Sequence, residues 1–209
     1  METIRNIAPQ NREQWSATTG ATSIQLYRNT GDADLEAICG HIALRIYERT
    51  RGSLVNLDKI QAVAQWMKNG KHASLILMGN TGTGKTTLAY ALADAIAVKN
   101  PSPYAYTLQR LERIALEDRE WFVEVAKEHR YLLLDDLGTE AREVNDFGTR
   151  RNIFNEFISI RYDYDLPVII TTNLNSEMIA QQYGEKTSSR LTEMCDTLLM
   201  VGDDLRLKR

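Results

Sequence analysis

The sequence predicts a three-layer α/β fold, a parallel β-sheet with helices on both faces. Three observations lead to it. After Gly70, short apolar runs alternate with stretches of helical periodicity, the pattern of strands covered on both faces and joined by crossover helices. A glycine-rich segment, Gly79-Asn80-Thr81-Gly82-Thr83-Gly84-Lys85-Thr86, stands between one apolar run and the helix after it. Another apolar run ends in two adjacent carboxylates, Asp135 and Asp136, at the strand end where sheets of this kind hold ligands.

Taken in order, residues 1–30 are polar and weakly periodic and read as a loose arm. Leu35, Ile38, Cys39, Ile42, Ala43 and Ile46 then recur at helical spacing as far as Tyr47, with Asp32 or Asp34 placed to cap the start. A second helix reads from Asp58 to Asn69 and stops at Gly70. Leu75-Ile76-Leu77-Met78 reads as a buried strand, followed by the glycine-rich loop and an apolar helix from Lys85 to Val98. Asn100-Pro101-Ser102-Pro103 breaks the chain before a strand at Tyr104–Thr107. One helix is expected over Leu108–Glu128, then a strand at Tyr131–Asp136 and a helix over Thr149–Tyr162. Val168–Thr172 is the next strand, ending at Asn173. Helices at Ser176–Gln182 and Ser188–Glu193 precede a last strand at Thr197–Val201.

Composition narrows the function classes. A chain of 209 residues, 43% hydrophobic and 25% charged, can bury one substantial core, so one domain with a small appendage is expected. The net charge of −3 provides no overall basic footprint, so a nucleic-acid contact has to come from a local patch or a groove shared between subunits. Cys39 and Cys195 lack metal-ligand spacing and read as reduced, buried thiols. No run approaches the roughly 18 apolar residues of a membrane helix. Glu2, Arg5, Asn6, Gln10, Asn11 and Arg12 interrupt any signal core. The expected compartment is the cytoplasm, with no membrane partner.

The loop at 79–86 matches G-x-x-x-x-G-K-[ST] in full, and it follows a strand and opens a helix, as that motif requires. Glycines at 79, 82 and 84 permit backbone angles that turn several N–H groups inward onto a phosphate. The helix start adds the positive end of its dipole. Lys85 brings a full positive charge to the β- and γ-phosphates, and the Thr86 hydroxyl is available to Mg²⁺. Gly79 through Thr87 is thus the expected ATP-binding segment.

Hydrolysis needs an acidic site as well. Asp135 suits the holding of Mg²⁺ and its water shell. Asp136 has two roles open to it: orienting or deprotonating the attacking water, or capping the turn through Leu137-Gly138. Asn173 is placed either to bridge the γ-phosphate and the lytic water or to end its strand as a turn residue. Arg190 has two readings, a guanidinium that neutralises the γ-phosphate, or an internal ion pair with Glu185 or Glu193.

The ordered set Gly79–Thr86, Leu132-Leu133-Leu134-Asp135-Asp136-Leu137-Gly138, Ile169-Ile170-Thr171-Thr172-Asn173 and Ser189-Arg190-Leu191 resembles the AAA+ ATPases. Within them it is similar to the DnaC/DnaI-type helicase loaders and the IstB-type transposition helper ATPases, as is the ending Gly202-Asp203-Asp204-Leu205-Arg206. The resemblance covers about residues 55–209, so 1–54 is read as an N-terminal arm and helix and 55–209 as the ATPase core. It implies Walker A at Lys85 and Thr86, Walker B at Asp135 and Asp136, sensor 1 at Asn173, and an arginine finger, acting in trans, at Arg190. It also implies a five-stranded parallel sheet in the order 5-1-4-3-2. The 36 residues after Asn173 are too few for a C-terminal helical lid. Arg206 is open to a partial sensor 2 role or to a structural ion pair. The helix from Asp32 to Tyr47 either covers its own domain or forms a reduced docking element.

By that resemblance the chain is expected to be an ATPase of DNA replication, requiring ATP and Mg²⁺, that delivers a replicative helicase to single-stranded DNA and self-associates through Arg190. Arg142, Arg150 and Arg151, among Glu140, Glu143 and Asp146, are open to two readings, a DNA or subunit contact or ordinary exposed charges on a loop and helix. The alternatives are a transposition helper assembling on duplex DNA, a P-loop small-molecule kinase, and a nucleotide-binding adaptor with little turnover.

Overall fold

A computed structural model describes residues 33–50, 56–99, 103–128, 131–140 and 143–205. The arm at 1–30, Arg142 and Arg206 lie outside the described residues. Five strands form a parallel sheet: β1 (Ser74–Met78), β2 (Pro103–Thr107), β3 (Tyr131–Leu137), β6 (Val168–Thr172) and β7 (Cys195–Leu199). Their order is β2-β3-β6-β1-β7. Counting only these sheet strands along the chain and reading from the β7 edge gives 5-1-4-3-2, the order the resemblance implies. A separate antiparallel hairpin pairs β4 (Val144–Asp146) with β5 (Thr149–Arg151).

The central strands carry apolar runs, at residues 75–78, 132–134 and 168–170, because both faces are covered, and strand alternation divides their side chains between two cores. Leu75, Leu77, Leu133 and Ile169 join one core with α1 (Ala33–Thr50), α2 (Leu57–Asn69) and α3 (Lys85–Lys99). Ile76, Leu132, Leu134 and Ile170 face the other. That second core is closed by α4 (Leu108–Glu117), α5 (Arg119–Glu128) and α6 (Ile153–Asp163). Residues of α7 (Ser176–Tyr183) and α8 (Glu185–Met194) complete it. In α1 the stripe Ile38, Ile42 and Ile46 is buried against the first core, while Leu44 and Tyr47 on the same helix are exposed.

Three expectations are corrected. The single helix over Leu108–Glu128 is two helices broken at Asp118, whose extended backbone ends α4 and whose carboxylate accepts from Trp121 N at 2.9 Å to cap α5. The helix expected from Thr149 begins only at Ile153, capped by Asn152 (2.9 Å from Asn155 N), because residues 144–151 form the hairpin. Its turn, Phe147-Gly148, has φ of 47° and 86°, the two positive angles of a tight hairpin turn. Phenylalanine is a poor signal for such a turn. The last strand starts at Cys195 rather than Thr197, since its register on β1 runs from Ser74↔Cys195 to Met78↔Leu199.

Candidate functional site

The phosphate loop leaves β1 at Met78 and is held from outside by the segment after β7. Gly79 has φ 155°, and a Cβ there would lie 2.4 Å from the Met200 carbonyl oxygen. Met200 N donates to Met78 O (2.7 Å), and Gly79 N donates to Thr172 O (3.1 Å). Gly82 has φ 79°, and its Cβ would meet an Asp204 carboxylate oxygen at 1.9 Å, while Leu205 N donates to Gly82 O (2.9 Å). These two glycines are therefore required by the returning tail as well as by the turn itself. From α2, Lys59 Nζ donates to Thr83 O (3.1 Å), and Thr83 Oγ1 donates to Asn80 O (2.9 Å). Burial lowers the Lys59 pKa.

Lys85 opens α3 and is buried. Its ammonium donates to Gly79 O (2.8 Å), Asn80 O (2.7 Å) and Asn173 Oδ1 (2.8 Å). The charged end of the P-loop lysine is thereby tied to the tip of β6, one strand away. A second link runs from β3. Asp135 is buried, and its Oδ1 accepts from Thr86 Oγ1 (3.1 Å) and Thr171 Oγ1 (2.6 Å). Thr171 Oγ1 also accepts from Asp136 N (2.9 Å).

The carboxylate pair sits on a bulge. Leu134 faces Ile170 and Leu137 faces Thr172, so two residues, Asp135 and Asp136, lie opposite Thr171 alone. Asp136 takes φ 59° there. A bulge of this kind breaks strand alternation and re-aims side chains beside a site. The Asp136 carbonyl accepts from Thr139 Oγ1 (2.9 Å), so this residue holds the turn through its main chain.

The donor set fits ATP with Mg²⁺. The P-loop glycines, the α3 N-terminus and Lys85 suit polyphosphate. A hydroxyl and a carboxylate in contact, Thr86 and Asp135, suit a hard cation that takes most of its oxygens from phosphate and water. Among the described residues no group of three His, Cys, Asp or Glu is gathered as a metal cage.

A family model described as IstB-like ATP binding protein matches residues 41–209. The chain belongs to this family. The match begins inside α1. No curated protein matches the chain. The crystal structure of the DnaC helicase loader is similar with a TM-score of 0.52 and 23% identity, covering 90% of this chain and 99% of the other. The crystal structure of DnaI gives 0.54 and 22%, over 68% and 83%. AMPPCP-bound DnaA from Aquifex aeolicus gives 0.53 and 19%, over 74% and 49%. These likenesses establish the AAA+ fold.

In this IstB-like chain, Lys85, Thr86, Asp135 and Asn173 come together, and Asp136 joins them through its backbone link to Thr171. Arg190 stands apart on α8. Its Nη1 donates to Ser159 Oγ (2.5 Å), its Nη2 lies 3.6 Å from Asp163 Oδ1, and its Cζ sits 4.9 Å from the centre of the Tyr162 ring. The acid beside it is Asp163, not the expected Glu185 or Glu193. Glu193 instead accepts from Tyr162 OH (2.7 Å).

Arg151 is not a surface charge. It is buried and donates to Asp146 (2.5 Å), to both oxygens of Glu156 (2.8 and 2.7 Å) and to Ala115 O (3.3 Å). It anchors the hairpin between α4 and α6, whereas Arg150 is exposed. Sequence reading missed Thr171, Lys59 and Asp204. A threonine in a strand is ordinary, and the other two act only because distant segments return to the loop.

Proposed function

We propose that this IstB-like chain is an ATP-hydrolysing switch of DNA replication that delivers a replicative helicase to single-stranded DNA. The observation that carries the reading is the pair of links crossing the sheet rim, Lys85–Asn173 and Thr86–Asp135–Thr171. They join the phosphate loop to the tips of β3 and β6, so that phosphate binding and its loss both act on the same strands. Lys85 and the α3 N-terminus hold the β- and γ-phosphates. Thr86 and Asp135 hold Mg²⁺, which when bound neutralises charge developing on the phosphate oxygens. Asp136 orients the attacking water and takes its proton, Asn173 contacts the γ-phosphate, and Arg190 acts on the site of a neighbouring copy.

The hairpin supports the DNA contact. Phe147 at its tip is fully exposed and Arg150 beside it is largely so, an aromatic face and a cation of the kind that bind single strands by stacking and charge. The likeness to the solved structures of the DnaC helicase loader and of DnaI supports a helicase as partner. The matched family favours a second reading, a transposition helper assembling on duplex DNA.

The test is ATPase rate per subunit against protein concentration, with and without a single-stranded oligonucleotide, for wild type and Arg190→Ala. The proposal expects the rate to rise with concentration, to respond to the oligonucleotide, and to collapse in the variant. A rate flat with concentration and unchanged in the variant removes the trans mechanism. Binding only to duplex DNA transfers the chain to the second reading. Transfer of phosphate to a small molecule instead of its release marks a kinase.

A further inference from the structure

The proposed trans role requires more of Arg190 than its charge, because a guanidinium on a free side chain loses much of its effect to rotamer entropy. The surroundings of Arg190 supply orientation. The Ser159 hydroxyl donates its proton to Asn155 O (2.7 Å), which leaves its lone pairs to accept from Arg190 Nη1. The Tyr162 ring lies beneath the guanidinium. The hydroxyl of that ring donates to Glu193, three residues beyond Arg190 on the same helix. Asn155 ties the two helices together at the other end, accepting from Thr187 Oγ1 (2.8 Å) and donating to Tyr183 O (3.0 Å). Asp163 completes the surroundings at 3.6 Å, beyond a hydrogen bond. Arg190 thus has one edge bonded and one face stacked, and its side chain keeps 18% of its surface exposed. A fork with N–H groups to spare is what an incoming phosphate needs.

We infer that Tyr162 is the positioning residue of Arg190, a stacking shelf on α6 that presents the guanidinium to the γ-phosphate of ATP bound by a second copy of this chain. The inference rests on the trans reading of Arg190 above. It assigns the ring, rather than its hydroxyl, as the part that matters for turnover.

The experiment measures ATPase kcat and KM of the full chain for Arg190→Ala, Tyr162→Leu and Tyr162→Phe. Each slow variant is then mixed with Lys85→Ala, which cannot turn over ATP itself but carries an intact Arg190 and Tyr162. Tyr162→Leu is expected to lower kcat about tenfold, the scale of a lost cation–π contact, with KM for ATP within about twofold. Tyr162→Phe retains the ring and is expected to stay within about twofold of wild type. Mixing with Lys85→Ala is expected to restore turnover to both Tyr162→Leu and Arg190→Ala.

An Arg190→Ala rate equal to wild type overturns the trans reading, and this inference with it. A slow Arg190→Ala beside a Tyr162→Leu of normal rate overturns the inference alone. So does a slow Tyr162→Leu that mixing fails to restore, because the ring then acts on its own subunit's site or fold. A Tyr162→Phe as slow as Tyr162→Leu also overturns it, by assigning the effect to the hydroxyl and Glu193.

Discussion

The phosphate loop after β1 and the hairpin after β3 differ in how they are held. The loop is fixed from every side: Lys85 reaches two loop carbonyls and Asn173, Lys59 reaches Thr83 O, and Asp204 and Leu205 close over Gly82. The hairpin is fixed at its base, where Arg151 binds Asp146, Glu156 and Ala115 O, and is bare at its tip, where Phe147 is fully exposed. The difference suits the two tasks proposed for them. Holding a polyphosphate requires polar groups oriented before the ligand arrives. Touching a large partner requires an apolar group held clear of the protein's own core.

The contrast predicts different sensitivities. Lys85→Ala should have the largest effect, weakening ATP retention roughly a hundredfold by removing a charged, multiply bonded donor. Equilibrium binding of a fluorescent ATP analogue measures it, and equal retention by the variant would break the whole comparison. Gly82→Ala should cost about 2 kcal/mol in urea unfolding, from a left-handed backbone and the collision with Asp204. Adding Asp204→Gly should recover only the part due to the collision.

At the hairpin, Arg151→Met should cost about 1–2 kcal/mol. It breaks a buried charge cluster whose acidic partners are themselves partly solvated. Faster amide exchange confined to Val144–Arg151 would localise the loss. Phe147→Ser should leave stability within about 0.5 kcal/mol while weakening single-strand binding roughly tenfold. Unchanged oligonucleotide affinity would leave the tip without its assigned contact.

The smallest effect lies between the two regions. Glu112 on α4 has its pKa raised to about 7, first by burial and then by Glu140. Glu140 accepts from Gly138 N (2.9 Å) in the turn after β3 and bonds Tyr183 OH. A carboxyl whose folded pKa is raised stabilises fully below its unfolded value, and that contribution is lost as pH rises through 7. The melting temperature of Glu112→Gln relative to wild type should therefore increase from pH 5 to pH 8. A constant difference would sink the assignment.

Much of the phosphate side was legible because its chemistry is local in sequence. Gly79 through Thr86 carries its own turn, charge and hydroxyl, and the apolar β1 and β3 announce buried strands. The break at Asp118 was harder to see, since a residue that stops one helix by its backbone and caps the next by its side chain leaves no gap in the apolar pattern. The hairpin was hidden because Phe147 occupies a turn position usually given to Asn, Asp or Gly. Arg150 and Arg151 look alike in sequence, yet one is solvated and the other is buried among carboxylates.

The sequence by itself determined the parallel α/β layering, the phosphate cradle and the acidic strand end, since each follows from residues within one strand, loop or helix turn. The tertiary structure alone decided that Asn173 binds Lys85, that Thr171 steadies Asp135, that Asp204 closes over Gly82, and that Arg190 rests on Tyr162. The physical reason is range. Periodicity and motif spacing report forces between near neighbours along the chain, whereas these contacts join groups from 28 to 122 positions apart, and only the packing of strands and helices brings them together.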